Sequence, residues 1–388
     1  MTLFLASVTG TDEALTALAH GADIIDLKDV STHVLAGRPI ADVCAVVEAV
    51  AGRRPVSAVA GMPGMTARDM AAAADAVAAA GADFVKLALP PGPQAAETVR
   101  GLAALAKRVK VVGVLFADME RDNMERDDTL VALMAQCGFY GVMLDTACKD
   151  GGRLLDHMDI AALSRFAAAA RAHGLAAGLA GSLEAPDIPR LLLLAPDILG
   201  FRGALCVGGR DGRIEPAAVT LIRQLIPTAR GRTPASTVSA FAPATRQPRG
   251  KEAATDRLFV HDFVLPVRIG AYVREHARTQ LVRFNVDACV ARAAHATDMR
   301  DVLSYDLITD GIRIITAGEH IALVEDLAER IAAFVLAYPQ VVDVTIRIEK
   351  LEIGPGSVGI EIIRRRPPEV AKVHHLFPAA LGGVRAAE

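Results

Sequence analysis

The chain has 388 residues, 52% of them hydrophobic and 22% charged, with a formal net charge of −3. This length predicts two domains rather than one, and the near-neutral balance argues against a nucleic acid or an anionic membrane surface as partner. Five scattered cysteines (Cys44, Cys137, Cys148, Cys206, Cys289) form no CxxC pair and have no histidine at ligand spacing. Neither a disulfide framework nor a metal site is expected, and a reducing cytoplasm fits.

The opening MTLFLASVTG is apolar but has no basic start or long apolar core, so it predicts a first strand and not a signal peptide. No apolar run reaches the length of a membrane span. Up to about residue 226, short apolar runs alternate with alanine-rich stretches. The runs are Leu3–Val8, Asp23–Asp29, Pro55–Gly61, Asp83–Leu89, Lys110–Asp118, Tyr140–Ala147, Leu175–Ser182 and Ile198–Val207. Between them, stretches such as Ala67–Ala80, Gln94–Arg108 and Ile160–His173 carry apolar residues at helical spacing. Eight βα units predict an α/β fold of the (β/α)8 TIM-barrel type over residues 1–226. A doubly wound open sheet is the alternative, but the first turn, SVTGTDEA, carries no dinucleotide fingerprint.

Residues 227–255 are rich in Pro, Ser, Thr, Ala and Arg and predict a flexible linker. Beyond it, strands are expected at Arg257–Arg268 and Thr279–Ala288, helices at Tyr305–Thr316 and His320–Ala337, and closing strands at Val341–Leu351 and Val358–Arg364. The order ββααββ predicts a small α+β domain over residues 256–366, followed by a patternless tail, 367–388.

Only eight lysines stand among the 42 basic residues, and three of them, Lys28, Lys86 and Lys149, fall where barrel strands end. A desolvated ε-amine can lose its proton and attack a carbonyl, which a guanidinium cannot do. Asp26 and Lys28 are two apart on one strand and share a face. Lys86 ends the fourth strand, Asp118 the fifth and Asp145 the sixth, with Lys149 in the following loop. One amine can form an imine while another serves as base, each tuned by its neighbours. A strand-end lysine is also commonly a solvated cation or half of a structural ion pair, and it is the clustering that favours chemistry. The last two strands end in Gly178-Leu-Ala-Gly181-Ser182 and Phe201-Arg202-Gly203, with Gly208 and Gly209 beyond. Barrels hold phosphate on such loops, although glycines also simply make turns. Together these features point to a phosphorylated carbonyl substrate and to no cofactor.

The segments DIIDLKD, DFVKLAL, LDTACKDG, LAGSL and GFRGALCVGGRDGRI together resemble (5-formylfuran-3-yl)methyl phosphate synthase of methanofuran biosynthesis, over about residues 1–226. The resemblance implies condensation of two glyceraldehyde 3-phosphate molecules into a furan aldehyde phosphate. Lys28 would be the Schiff-base lysine and Lys86 the proton acceptor, with Asp26, Asp145 and Lys149 completing the site. Gly181, Ser182, Gly203, Gly208 and Gly209 would contact substrate. The segment DVSTHVLAGRP after Lys28 departs from the family's glycine-containing turn.

In the second domain, IGAYVREHARTQ, LSYDLITDGI, ALVEDLAERIA and VTIRIEKLEIGPGSVGIEI resemble dihydroneopterin aldolase, whose tunnelling-fold ββααββ units assemble into rings. The resemblance implies a homo-oligomer and 7,8-dihydroneopterin as substrate. Glu275 and Glu325 would bind substrate, Glu325 by paired hydrogen bonds, and Lys350 and Tyr305 would relay protons without a covalent imine. A solvated helix face is the plainer account of Glu325, and LEIGPGSVG after Lys350 is longer than the family's turn. The expected protein is thus bifunctional. The alternative is another Schiff-base aldolase of phosphorylated aldehydes, whose C-terminal domain only drives oligomerisation.

Overall fold

The computed structural model describes residues 1–31, 35–62, 64–119, 124–148, 151–227, 254–272, 275–276, 278–292, 302–353 and 356–366. The expected linker and tail fall largely or wholly outside these residues.

Eight parallel strands close a barrel in sequential order: β1 (Leu3–Val8), β2 (Ile24–Leu27), β3 (Val56–Val59), β4 (Phe84–Ala88), β5 (Lys110–Phe116), β6 (Gly141–Asp145), β7 (Ala176–Leu179) and β8 (Ile198–Phe201). Closure is made by β1 against β8, with Leu3 opposite Ile198 and Leu5 opposite Gly200. The helices around it are α1 (Thr11–Ala19), α2 (Ile40–Val50), α3 (Ala67–Ala79), α4 (Gln94–Gly101), α5 (Met124–Gln136), α6 (Leu154–His157), α7 (Ile160–Ala172), α8 (Asp187–Leu192) and α9 (Pro216–Leu225). Among the described residues, side-chain hydroxyl or carboxylate caps start two of them: Thr66 accepts from Asp69 N before α3, and Asp159 from Ala162 N before α7.

Strand alternation divides the barrel's side chains between two cores. One set, including Phe4, Ala6, Ile25, Leu27, Val85 and Leu87, packs outward against the helices. The other fills the barrel with Leu5, Ile24, Val59, Phe84, Val112, Val114, Met143 and Ile198. The parity that points Leu5, Ile24, Phe84 and Met143 inward also points Ser7, Asp26, Lys86 and Asp145 inward, nearer the carboxyl ends of their strands. An apolar interior therefore gives way to a buried polar layer at the mouth.

The C-terminal unit is a four-stranded antiparallel sheet in the order β12–β11–β10–β9, built from β9 (Thr255–Val267), β10 (Gln280–Ala291), β11 (Val341–Lys350) and β12 (Val358–Arg365). Helices α10 (Tyr305–Thr316) and α11 (Val324–Leu336) cover one face. Val282, Phe284, Val286 and Ala288 alternate along β10 and pack under Ile308, Ile312, Leu327 and Ile331. The second helix begins four residues later than expected because its approach is otherwise engaged. Ile321 bridges Ile269, and the His320 ring bonds the Gly270 carbonyl. The barrel and this unit touch through α10, which packs on α7 and α8. There Arg190 forks the fully buried Asp310 at 2.6 and 3.1 Å.

Candidate active site

The cluster expected at the barrel mouth is assembled around Asp26, which is wholly inaccessible to solvent. Strand register sets it between two serines, since Ser7 on β1 and Ser57 on β3 are its direct neighbours across the sheet. Its Oδ2 accepts from Lys86 Nζ at 2.6 Å and from Ser7 Oγ at 3.0 Å, and its Oδ1 from Ser57 Oγ at 2.8 Å. Burial alone would push this carboxyl up. The charges of Lys86 and Lys28, with hydrogen bonds from Lys86 and Ser57, outweigh it and hold Asp26 below the usual carboxylate range. Lys28 and Lys86 are themselves buried, 6% and 3% exposed, so neither is the solvated loop cation of the plainer reading.

A cavity of about 310 Å³ opens above this layer, lined by Lys28, Lys86 and Asp145 together with Gly181, Ser182, Gly203 and Gly209. Gly208 lies one residue outside the lining and belongs to the same turn. Gly181 has φ 115°, and a Cβ there would sit 3.0 Å from Thr146 Cγ2, so this close passage of two loops requires glycine. Two cavities of about 750 Å³ lie elsewhere, one at Lys107, Lys110 and Arg171 and one between α4, α5 and α7, and neither includes the lysine–aspartate cluster.

Asp118 does not stand on the rim as a free carboxylate. It lies past the end of β5, and its two oxygens accept from the backbone N–H groups of Ala147 and Cys148 at 2.8 and 2.7 Å. It thereby fixes the chain that leads to Lys149, which itself lies outside the described residues, as do residues 32–34 of the divergent segment after Lys28.

Three features of the site were not anticipated from sequence. Ser7 and Ser57 are one pair, detectable only as lone polar residues at inward positions of apolar strands. The second is Arg202, 7% exposed, which pairs with Glu13 at 2.6 Å and donates to the carbonyls of Arg210 and Gly212 at 2.9 and 2.8 Å. It clamps the loop carrying Gly208 and Gly209. The third is Glu13, whose carboxyl burial would push up but which the Arg202 and Thr9 contacts hold low.

In the small domain Glu275 and Lys350 come together, with Nζ 3.5 Å from Oε1. Glu275 also accepts from Tyr272 N at 3.0 Å and Gln280 Nε2 at 2.8 Å. The Tyr272 N–H is the main reason its carboxyl falls to about 2 against burial, helped by Gln280 and Lys350. Tyr305 is 59% exposed and Glu325 is exposed at the start of α11, and neither bonds to this pair. A single chain thus joins two of the four expected residues.

The family model described as 4-HFC-P synthase matches residues 4–223, and that described as dihydroneopterin aldolase matches residues 258–363. A protein of Methylorubrum extorquens, provisionally named (5-formylfuran-3-yl)methyl phosphate synthase, is 47% identical over 204 residues, covering 52% of this chain and 81% of its own. The (5-formylfuran-3-yl)methyl phosphate synthase of Methanosarcina mazei is 35% identical over 225 residues, 55% of this chain and 95% of its own. Among solved structures, dihydroneopterin aldolase from Burkholderia thailendensis bound to guanine is 30% identical, covering 29% of this chain and 93% of its own with a TM-score of 0.27. The chain belongs to the 4-HFC-P synthase family and carries a dihydroneopterin aldolase domain at its C-terminal end.

Proposed function

We propose that the barrel condenses two molecules of glyceraldehyde 3-phosphate into (5-formylfuran-3-yl)methyl phosphate through an imine on Lys28. The observation that carries this reading is the single cavity where two buried lysines meet Asp145 and a glycine-lined pocket, with Asp26 beneath. Lys86, paired with Asp26, enters the reaction as an ammonium. Lys28, a cation in the resting site, first loses its proton to solvent, and its neutral amine adds to the aldehyde. Lys86 then protonates the carbinolamine hydroxyl, which leaves as water and yields the iminium and a neutral Lys86 amine. That amine removes the proton from the carbon next to the iminium, regenerating the ammonium and forming an enamine that attacks the second aldehyde. Over the whole sequence two triose phosphates give the furan, one phosphate and two waters, and aromatic ring closure drives the later eliminations. The loop N–H groups around Gly181, Gly203, Gly208 and Gly209, with Ser182, hold the phosphates. Asp145, which ends the sixth strand, and Lys149 serve the proton transfers.

The small domain is proposed to act on 7,8-dihydroneopterin, with Lys350 held beside Glu275 for proton relay. Tyr305 and Glu325 would complete the site on assembly of copies, which makes the reading one of a homo-oligomer. The exposure of these two residues also supports the alternative in which this domain only assembles the barrels. Incubation with glyceraldehyde 3-phosphate should produce a furan chromophore and free phosphate. If the protein forms neither, while borohydride traps a different phosphorylated aldehyde on Lys28, the substrate assignment fails and the other aldolase reading stands. Dihydroneopterin turnover, lost in Lys350→Ala and kept in Lys28→Ala, separates the small domain's catalysis from mere assembly.

A further inference from the structure

We infer that Ser7 and Ser57 are positioning residues, whose hydroxyls orient the Asp26 carboxylate against Lys86 and thereby fix the charge with which Lys86 meets the substrate. The proposal rests on the barrel reading above and adds two residues to its machinery. Both serines are 2% exposed and stand in strands whose other side chains are apolar, LFLASV and VSAV. A buried hydroxyl facing an acceptor-only carboxylate must donate. Ser7 therefore donates to Oδ2 at 3.0 Å and Ser57 to Oδ1 at 2.8 Å, while Lys86 takes the other position on Oδ2 at 2.6 Å.

This arrangement has two consequences. Each carboxylate oxygen is bound on a different side, so the group cannot turn away from Lys86 without breaking a buried hydrogen bond. Every donor also favours the ionised form, and an ionised Asp26 keeps its partner an ammonium until the substrate takes the proton. The charged groups around the adjoining cavity are Lys28, Lys86, Asp145, Glu184, Arg202 and Arg210. The Ser57 bond helps hold the Asp26 carboxyl low, alongside the two lysine charges. A serine kept only to fill space would be equally well served by alanine, so the hydroxyl itself is what the proposal tests.

The experiment compares Ser7→Ala, Ser57→Ala and Ser57→Thr with the parent in the full chain. Carboxyl-13C NMR of aspartate-labelled protein, with Asp26 assigned by its loss in Asp26→Asn, follows the titration without substrate. The midpoint of Asp26 should rise by about one pH unit for each hydroxyl removed, and Ser57→Thr should restore it. With glyceraldehyde 3-phosphate, kcat should fall about tenfold in each alanine variant with KM little changed, as for an interaction that acts in the chemical step. An unmoved Asp26 titration in both folded alanine variants overturns the proposal, as does a threonine variant that stays at the alanine value. If the parent makes no product, the functional reading fails, and the titration still decides whether the serines govern Asp26.

Discussion

Removing the carboxylate at the centre of the barrel tests how much the buried cluster matters to the fold. In Asp26→Ala, Lys86, 3% exposed, loses the carboxylate that stands 2.6 Å from its Nζ, and so buried a group has little water to replace it. Stranding one member of a buried pair costs about 3–5 kcal/mol. The Ser7 and Ser57 hydroxyls lose their acceptor too, adding about 1 kcal/mol each. The single variant should therefore lose about 5–7 kcal/mol, whereas Asp26→Ala/Lys86→Met, which removes both charges, should lose only the hydroxyl contribution of about 2 kcal/mol. The predicted difference of about 3–5 kcal/mol between the two variants is read by urea unfolding followed by far-UV circular dichroism. With a slope near ~3 kcal/mol per molar, the double variant should unfold at least about 1 M later than the single. Equal midpoints for the two variants would refute a charged, tightly paired Asp26–Lys86 core.

Three further outcomes follow from the small domain and its junction. Gly270 has φ 142°, and a Cβ there would fall 2.2 Å from Glu275 Cδ, so Gly270→Ala should expel Glu275 from Lys350 and lower the domain's melting temperature. Unchanged melting and pterin turnover would count against the site as built. Because the folded Glu275 carboxyl sits at about 2, below its unfolded value, its stabilisation is complete above about pH 4.3 and drains away as pH falls towards 2. Glu275→Gln should lack that pH-dependent part of the acid unfolding curve, and a curve parallel to the parent's would exclude the pairing. Arg190→Met leaves the buried Asp310 with Arg313 at 3.4 Å, a weaker partner than the lost fork. Amide exchange in α10 should then accelerate about tenfold or more, for a loss of at least about 1.4 kcal/mol, and unchanged protection would show that the junction does not depend on this ion pair.

The architecture was legible because its signals are local. Short apolar runs such as LFLASV and GVMLD, and helical spacing in the alanine-rich stretches, define βα units whatever lies beside them. The apolar runs overshot the strands, as at Pro55–Gly61 against Val56–Val59, because residues at a barrel rim stay apolar or glycine-rich after ladder pairing has ended. Lys28, Lys86 and Asp26 could be grouped from sequence since two share a strand and all share inward parity. What pairs with what could not. Ser7, Asp26 and Ser57 are neighbours only through strand register, and Arg202 reaches Glu13 only because the last strand closes on the first. Asp118 was expected on the rim for the same reason, with nothing local to reveal that two backbone N–H groups of the next loop occupy it.

The central claim, an imine on Lys28, is tested most directly by reducing the protein with borohydride in the presence of glyceraldehyde 3-phosphate and locating the adduct by peptide mass spectrometry. The account predicts one modified lysine, Lys28, with no adduct in Lys28→Arg and a slowed yield in Lys86→Met. An adduct on Lys86 or Lys149, or furan formation that persists in Lys28→Arg, would contradict it.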